Sequence, residues 1–495
     1  MPVWYILPLL FAGFTADASQ PSNETDAMRA LVEWRRGLDA GGGASAQTVL
    51  GDELRLVERI EHARLTNQTF TIAVFGGSMT WGVGCDPKVA AGCPWPVRLQ
   101  ALLANETRPR VRVVNMALSA TCTGCVLSSL GPRVWATAPD VSLVVWDYSA
   151  NDKDLHKAAY HRGTKSDLRV AAGEAFVRLM SCLPSRPAVL LVESNARVAA
   201  HMTVARHYRV STLEYHMVSK AVNVPPLLEW KGARGSAEVH PPWPVHHALA
   251  ELVAWWWRRP HGPSLAQRRR TFASVERARL ETLRARSPKP SEKYDARHFE
   301  EKHYHDCEAA FPRALTPPAD RAIFRTCVQP LTMVSSGGEG LNATIEAAAT
   351  AAGASWSYSA ADAGGRSDKR GWLGVVRDPA GDAASRTIKF ELELSATGTV
   401  AISVLRSYEG MARVLVRLDD GNTTRPIDGL WTESSSMRSI VDLDYGSQQQ
   451  LGGAKAEKNK LYVPNLRPGR HTLSFELAND RPPGSKFKLF ALITC

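Results

Sequence analysis

Residues 70–84 read FTIAVFGGSMTWGVG. Within them, Ile72-Ala73-Val74-Phe75 is an apolar run closed by Gly76-Gly77, the pattern of a buried strand ending in a tight turn. The turn delivers Ser78, followed by Thr80 and Gly82. In an open α/β sheet, ligands sit beyond the carboxyl ends of the strands. A hydroxyl placed there is a candidate nucleophile, provided a base takes its proton.

Three later segments supply candidate partners in order. Arg112-Val113-Val114-Asn115-Met116-Ala117 reads as a second strand ending in a turn. Residues 141–148, VSLVVWDY, form a continuous apolar strand that runs into Ser149-Ala150-Asn151-Asp152. Glu238-Val239-His240-Pro241 precedes a helix. Histidine is the side chain able to act as a base near neutral pH, and a carboxamide is a suitable donor to a developing oxyanion.

The G-x-S-x-G elbow of α/β-hydrolases does not fit, because Thr80 stands where the last glycine belongs. The set instead resembles the SGNH (GDSL-type) hydrolases. Gly76-Gly77-Ser78 is similar to their block I, Ala117 falls at the oxyanion glycine of block II, Ser149-Ala150-Asn151-Asp152 resembles Gly-x-Asn-Asp of block III, and His240-Pro241 matches the His-Pro of block V. The resemblance covers roughly residues 70–257. It implies that Ser78 is the nucleophile, that His240 is the base, and that the N–H groups of Ser78 and Ala117 with the Asn151 amide form the oxyanion hole. It also implies a flavodoxin-like parallel sheet flanked by helices. The chain departs from the family at the acid. The aspartate expected three residues before the histidine is Ala237, and Glu238 lies one residue closer. Either Glu238 or a backbone carbonyl orients the imidazole.

Strand and helix patterns alternate from residue 24 to residue 260, predicting a parallel sheet covered by helices. Helices are expected over 27–38, 50–65, 96–103 and 245–257, and a buried strand over 187–192. Trp255-Trp256-Trp257 are expected to pack, because three successive residues face different sides of a helix. His246 and His247 are read as structural or solvated. Residues 259–305 are crowded with Arg, Lys and Glu, and 261–330 read as a charged linker or an extension packed on the first domain, with a solvated basic helix over 265–286. From 331 to 495 short alternating segments separated by Gly, Asn, Asp and Pro predict a β-sandwich, a possible carbohydrate-binding module. Its strands are expected at 386–394, 398–404, 411–418, 460–463, 470–476 and 486–493. Trp372, Tyr408 and Trp431 are candidate sugar-stacking or core residues, and Ser407-Tyr408-Glu409-Gly410 is a candidate functional loop.

Residues 1–18 carry an apolar run and a small-x-small pattern at Ala16-Asp17-Ala18, read as a secretory signal peptide, with an uncleaved anchor as the alternative. The eight cysteines are an even number, and sequons occur at Asn23, Asn67, Asn105, Asn342 and Asn422. Both features suit secretion, disulfides and N-glycans. Disulfides are favoured over metal at Cys122-Thr123-Gly124-Cys125, Cys85 and Cys93 are expected to close a loop, and Cys307, Cys327 and Cys495 are candidates to tie the linker to the second domain. His303, His305 and Cys307 are read as solvated rather than metal-binding. The net charge of +11 permits attraction to anionic glycans, and no nucleic-acid partner or cofactor is implied. The expected protein is a secreted serine esterase acting on O-acyl esters, acetyl groups on carbohydrate among them. A non-catalytic glycan-binding glycoprotein on the same fold, or an O-acyltransferase, is the alternative.

Overall fold

The computed structural model describes residues 24–259 apart from short gaps, the largest at 86–91, 155–166, 222–225 and 231–239. It also describes isolated positions between 270 and 315, and most strands and turns between 332 and 494. The signal-peptide segment, Asn23, Asn342, Asn422, Glu238, Tyr408, Trp431, Cys125, Cys307, Cys327, Cys495, the 303–307 cluster and the strand expected at 460–463 lie outside the described residues.

The first region is a five-stranded parallel sheet in the order β2-β1-β3-β4-β5. Its strands are β1 (Phe70–Gly76), β2 (Val111–Asn115), β3 (Val141–Asp147), β4 (Ala188–Glu193) and β5 (Ser211–Glu214). Both β1 and β3 are buried along their whole length, which is why they read as unbroken apolar runs rather than alternating ones. Successive side chains point to opposite faces, so the sheet feeds two cores. Ile72, Val74, Leu143 and Val145 join one cluster, while Ala73, Phe75, Val144 and Trp146 join the other.

Helices cover both faces. On the first lie α1 (Glu24–Gly37), a short turn α2 (Gly43–Ala46), α3 (Leu54–Thr66), α5 (Trp95–Leu103) and the closing helix. The second carries the helices Leu168–Ser181 and Ala199–Tyr208. In chain order the remaining helices are α4 (Ser78–Trp81), α6 (Ser149–Asp154), α7 (Leu168–Ser181), α8 (Ala199–Tyr208), α9 (Tyr215–Ala221) and α10 (Trp243–Arg258). Helix α10 starts two residues earlier than its apolar pattern suggests because Pro244 sits in the first turn, where its missing N–H costs nothing. Of the three consecutive tryptophans, Trp256 is buried and Trp257 packs on Phe70 at 4.6 Å, as expected for packing. Trp34 Nε1 donates to Ala248 O at 3.0 Å and ties α1 to α10. Helix α3 begins at Leu54 rather than residue 50.

The second region has two antiparallel sheets, β13-β12-β15-β10-β7 and β14-β11-β16-β9-β8, with β6 (Thr332–Ser335) paired to β16. The central strands β10 (Thr387–Leu394), β11 (Val400–Arg406), β12 (Arg413–Leu418), β15 (Gly469–Leu477) and β16 (Lys486–Thr494) lie where the alternation places them. Flanking them are β7 (Ala349–Ala352), β8 (Trp356–Ser359), β9 (Gly371–Val375), β13 (Thr424–Asp428) and β14 (Met437–Asp442). Ile388, Phe390 and Leu392 from one sheet share a core with Val400, Ile402, Phe487 and Leu489 from the other, so the sheets pack face to face as a sandwich. Pro426 sits in β13 at the sheet edge, where a residue without an N–H is tolerated. Trp372 is a core residue, buried in that cluster and packed edge-on to Tyr358 at 5.8 Å; it is not available for stacking on a sugar. Ser407 is buried, and its N–H donates to Gly429 O at 3.0 Å.

In the charged extension, residues 270, 271 and 274 are helical and exposed, and Leu315 N donates to Glu174 Oε1 at 2.8 Å, an attachment to α7. Among the described residues no helix is long and apolar enough to cross a membrane.

Candidate active site

The strand order reverses between β1 and β3, and an open sheet of this 2-1-3-4-5 order binds ligands at that switch point, outside the carboxyl ends of the strands. Ser78 directly follows β1 as the first residue of α4, and Asn151 lies in α6 just after β3. The topology alone brings these two side chains to the same crevice.

His240 arrives from the far end of the parallel region, in the loop before α10. Its Nε2 lies 2.8 Å from Ser78 Oγ. With the imidazole proton on Nδ1, Nε2 accepts the serine hydroxyl, the arrangement a general base requires. The loop after α4 supports the histidine. Gly84 has φ +97, and a Cβ there would lie 2.6 Å from Pro241 O and 3.0 Å from His240 Cβ, so the backbone lies flush against the base. Next to it, Cys85 and Cys93 form the expected disulfide; Cys122 and Cys182 are disulfide-bonded as well.

His246 is fully buried behind this loop. Burial, with the neighbouring His240 and His247, drives it down to about 3, so it stays neutral and structural. One of its ring nitrogens lies within 4.8 Å of the sulfurs of Cys85 and Cys93. Those sulfurs are joined to each other and offer no thiolate to a metal.

Asn151 packs its carboxamide directly on the backbone of Gly77. A Cβ at Gly77 would lie 2.0 Å from Asn151 Oδ1, which explains why a glycine precedes Ser78. The backbone N–H groups of Asn151 and Asp152 both donate to Tyr148 O, at 3.0 and 2.8 Å, and fix the turn. Ala117 is buried after β2, and its N–H donates to Asn115 Oδ1 at 3.1 Å. A place for that N–H in an oxyanion hole requires this bond to be shared or exchanged. Glu238, the remaining candidate from the sequence, is outside the described residues.

Sequence reasoning missed a polar layer directly beneath these groups. Asp147, at the end of β3, accepts from Thr80 Oγ1 at 2.7 Å, Trp95 Nε1 at 3.1 Å and Ser194 Oγ at 2.6 Å. Burial raises its carboxyl to about 6, against the pull of those three donors. Deeper still, His201 of α8 joins Asp152 and Glu193. The signal for both acids was present, since each of Asp147 and Glu193 ends an apolar strand run, a place where a carboxylate has no packing reason to be.

No protein-family model matches the chain, and no curated protein matches it in sequence. Solved structures do. A two-domain esterase active on acetylated mannans is similar at 13% identity, TM-score 0.47, covering 91% of this chain and 98% of that one. The same esterase co-crystallised with mannopentaose gives 14%, 0.46, 91% and 97%. An extracellular lipase from Streptomyces rimosus gives 15% identity and TM-score 0.19, with 30% of this chain and 80% of that one covered.

Proposed function

We propose that the protein is a serine ester hydrolase of the SGNH type. The observation that carries this reading is the Ser78–His240 pair at 2.8 Å, set at the switch point of the parallel sheet with Asn151 beside it. Ser78 Oγ attacks the ester carbonyl as its proton passes to His240 Nε2. The carbonyl oxygen becomes an oxyanion held by the Asn151 amide and the Ser78 N–H, and by the Ala117 N–H once it leaves Asn115. Collapse of the tetrahedral intermediate expels the alcohol, which takes the proton from His240. Water then attacks the acyl-enzyme by the same route in reverse. Orientation of the imidazole falls to Glu238 or to a backbone carbonyl.

The substrates are O-acyl esters, acetylated carbohydrate in particular, and the sandwich serves as a glycan-binding companion. The signal-like segment supports secretion, and Asn67 and Asn105, both exposed, are the described sequons open to glycans. A hydroxyl and an imidazole kept in hydrogen-bonding contact favour this reading over a non-catalytic binding protein, which has no use for the pair. The test is release of acetate from acetylated polysaccharide and of p-nitrophenol from p-nitrophenyl acetate. Ser78→Ala is expected to lower kcat by more than about 10³-fold with folding intact; unchanged turnover contradicts the assignment.

A further inference from the structure

His201 is fully buried, yet both of its ring nitrogens face carboxylates. Nε2 lies 2.8 Å from Asp152 Oδ2, and Nδ1 lies 2.8 Å from Glu193 Oε1. A neutral imidazole donates through one nitrogen only and presents a lone pair to the other carboxylate. Carboxylates on both nitrogens favour the imidazolium, while burial raises Glu193 above the ordinary carboxylate range against the pull of His201 and the Val198 N–H. Burial alone pushes this histidine down, but the charge of Glu193 and the hydrogen bonds to both acids outweigh it and raise it to about 9.

The remaining carboxylate oxygens are occupied as well. Glu193 Oε2 accepts from Val198 N at 3.0 Å. Asp152 Oδ1 accepts from Thr123 N at 3.0 Å, Thr123 Oγ1 donates to Asp152 Oδ2, and Trp146 Nε1 donates to Thr123 Oγ1 at 2.8 Å. The Trp146 ring lies 4.5 Å from the imidazole. Charges buried this deeply are costly, and removing one partner of such a cluster is more costly still.

The cluster joins β3, α6, β4, α8 and the helical segment at Thr123, and one of its two acids, Asp152, is the residue after Asn151. We propose that His201 is a positioning residue for ester cleavage: by clamping Asp152 against Glu193 it fixes the turn that aims the Asn151 amide at the oxyanion. This inference rests on the reading of Ser78, His240 and Asn151 given above. An oxyanion donor acts only if preorganised, and a displacement of about 1 Å at such a group can cost ~10²-fold in rate. The clamp supplies that rigidity through a side chain that touches neither substrate nor nucleophile.

The test is a double-mutant cycle on p-nitrophenyl acetate hydrolysis with His201→Gln, Asn151→Ala and the pair together. His201→Gln is expected to lower kcat about 10- to 100-fold with KM changed by less than about threefold. In the Asn151→Ala background it is expected to lower kcat by less than about twofold, because the group it positions is gone. Losses that multiply, or a His201→Gln variant with parental kcat, overturn the positioning role. If His201→Gln does not fold, Glu193→Gln, which loosens the clamp from the other side and keeps a side chain of the same size, carries the same cycle with the same criteria. A parent protein that turns over no ester overturns the reading of Ser78, and this inference with it; a parent that does so with multiplying losses overturns this inference alone.

Discussion

The two sheet systems hide different things. Among the described residues of the parallel region, buried polar groups include Asp147, Asp152, Glu174, Glu193, Glu214, His201 and His246. Among those of the sandwich, the buried charged side chains are Arg386, Arg406 and Lys488, with no carboxylate or histidine. The two sheets of the sandwich meet in a large apolar cluster, and its ion pairs, such as Arg413–Asp428 and Arg481–Asp428, are partly exposed. Long cationic side chains can bury their stems and keep their heads near water. Short carboxylates and imidazoles cannot, so a fold that inters them accepts a desolvation cost that packing alone never requires. Asp147 and Glu193 bear that cost at the carboxyl ends of β3 and β4, Glu214 at the end of β5, and Glu174 within α7. The contrast supports the proposed placement of the chemistry in the parallel region, with the sandwich in a role that depends on its surface and stability.

The comparison can be broken from the sandwich side first. Phe390 is fully buried and packs edge-on to Phe475 at 5.8 Å. Phe390→Ala is expected to destabilise the sandwich by about 3–5 kcal/mol while leaving kcat per folded molecule unchanged. Thermal or denaturant melting alongside ester turnover checks both halves, and a large fall in kcat would remove the division of labour.

From the other side, Asn151→Ala is expected to lower kcat by roughly 10²–10³-fold, with KM nearly unchanged, as for loss of one preorganised donor. Steady-state kinetics decide it; a change confined to KM would make Asn151 a substrate-binding residue. The smallest effect is expected at the acid position. Glu238 lies two residues before His240, one residue off the position the family uses, and successive residues of an extended chain face opposite sides. Glu238→Gln is therefore expected to change kcat less than about threefold, with a backbone carbonyl orienting the imidazole. A loss above about a hundredfold, ~2.7 kcal/mol in the transition state, would make Glu238 the acid.

The sequence revealed the parts of this arrangement that are local. Apolar runs ending in Gly-Gly-Ser or in Ser-Ala-Asn-Asp mark a strand and its following turn within a few residues, and the chain order of β1, β2 and β3 followed from them. The pairing of Ser78 with His240 was inferred from motif order, across 162 positions. The His201 cluster was not, because Asp152 and Glu193 lie 49 and 8 positions away, and only the parallel pairing of β3 with β4 joins them. β5 was missed because Ser211-Thr212-Leu213-Glu214 is short and polar, although all four residues are buried. The flanking strands of the sandwich were missed for a related reason. Segments such as Ala349–Ala352 carry little alternation, since an edge strand need not fill a core.

Covalent labelling with a fluorophosphonate, followed by mass-spectrometric mapping of the adduct, tests the central claim most directly. The account predicts one adduct, on Ser78, formed by the folded protein and lost in His240→Ala. An adduct on another residue, or a folded protein that takes none, would contradict it.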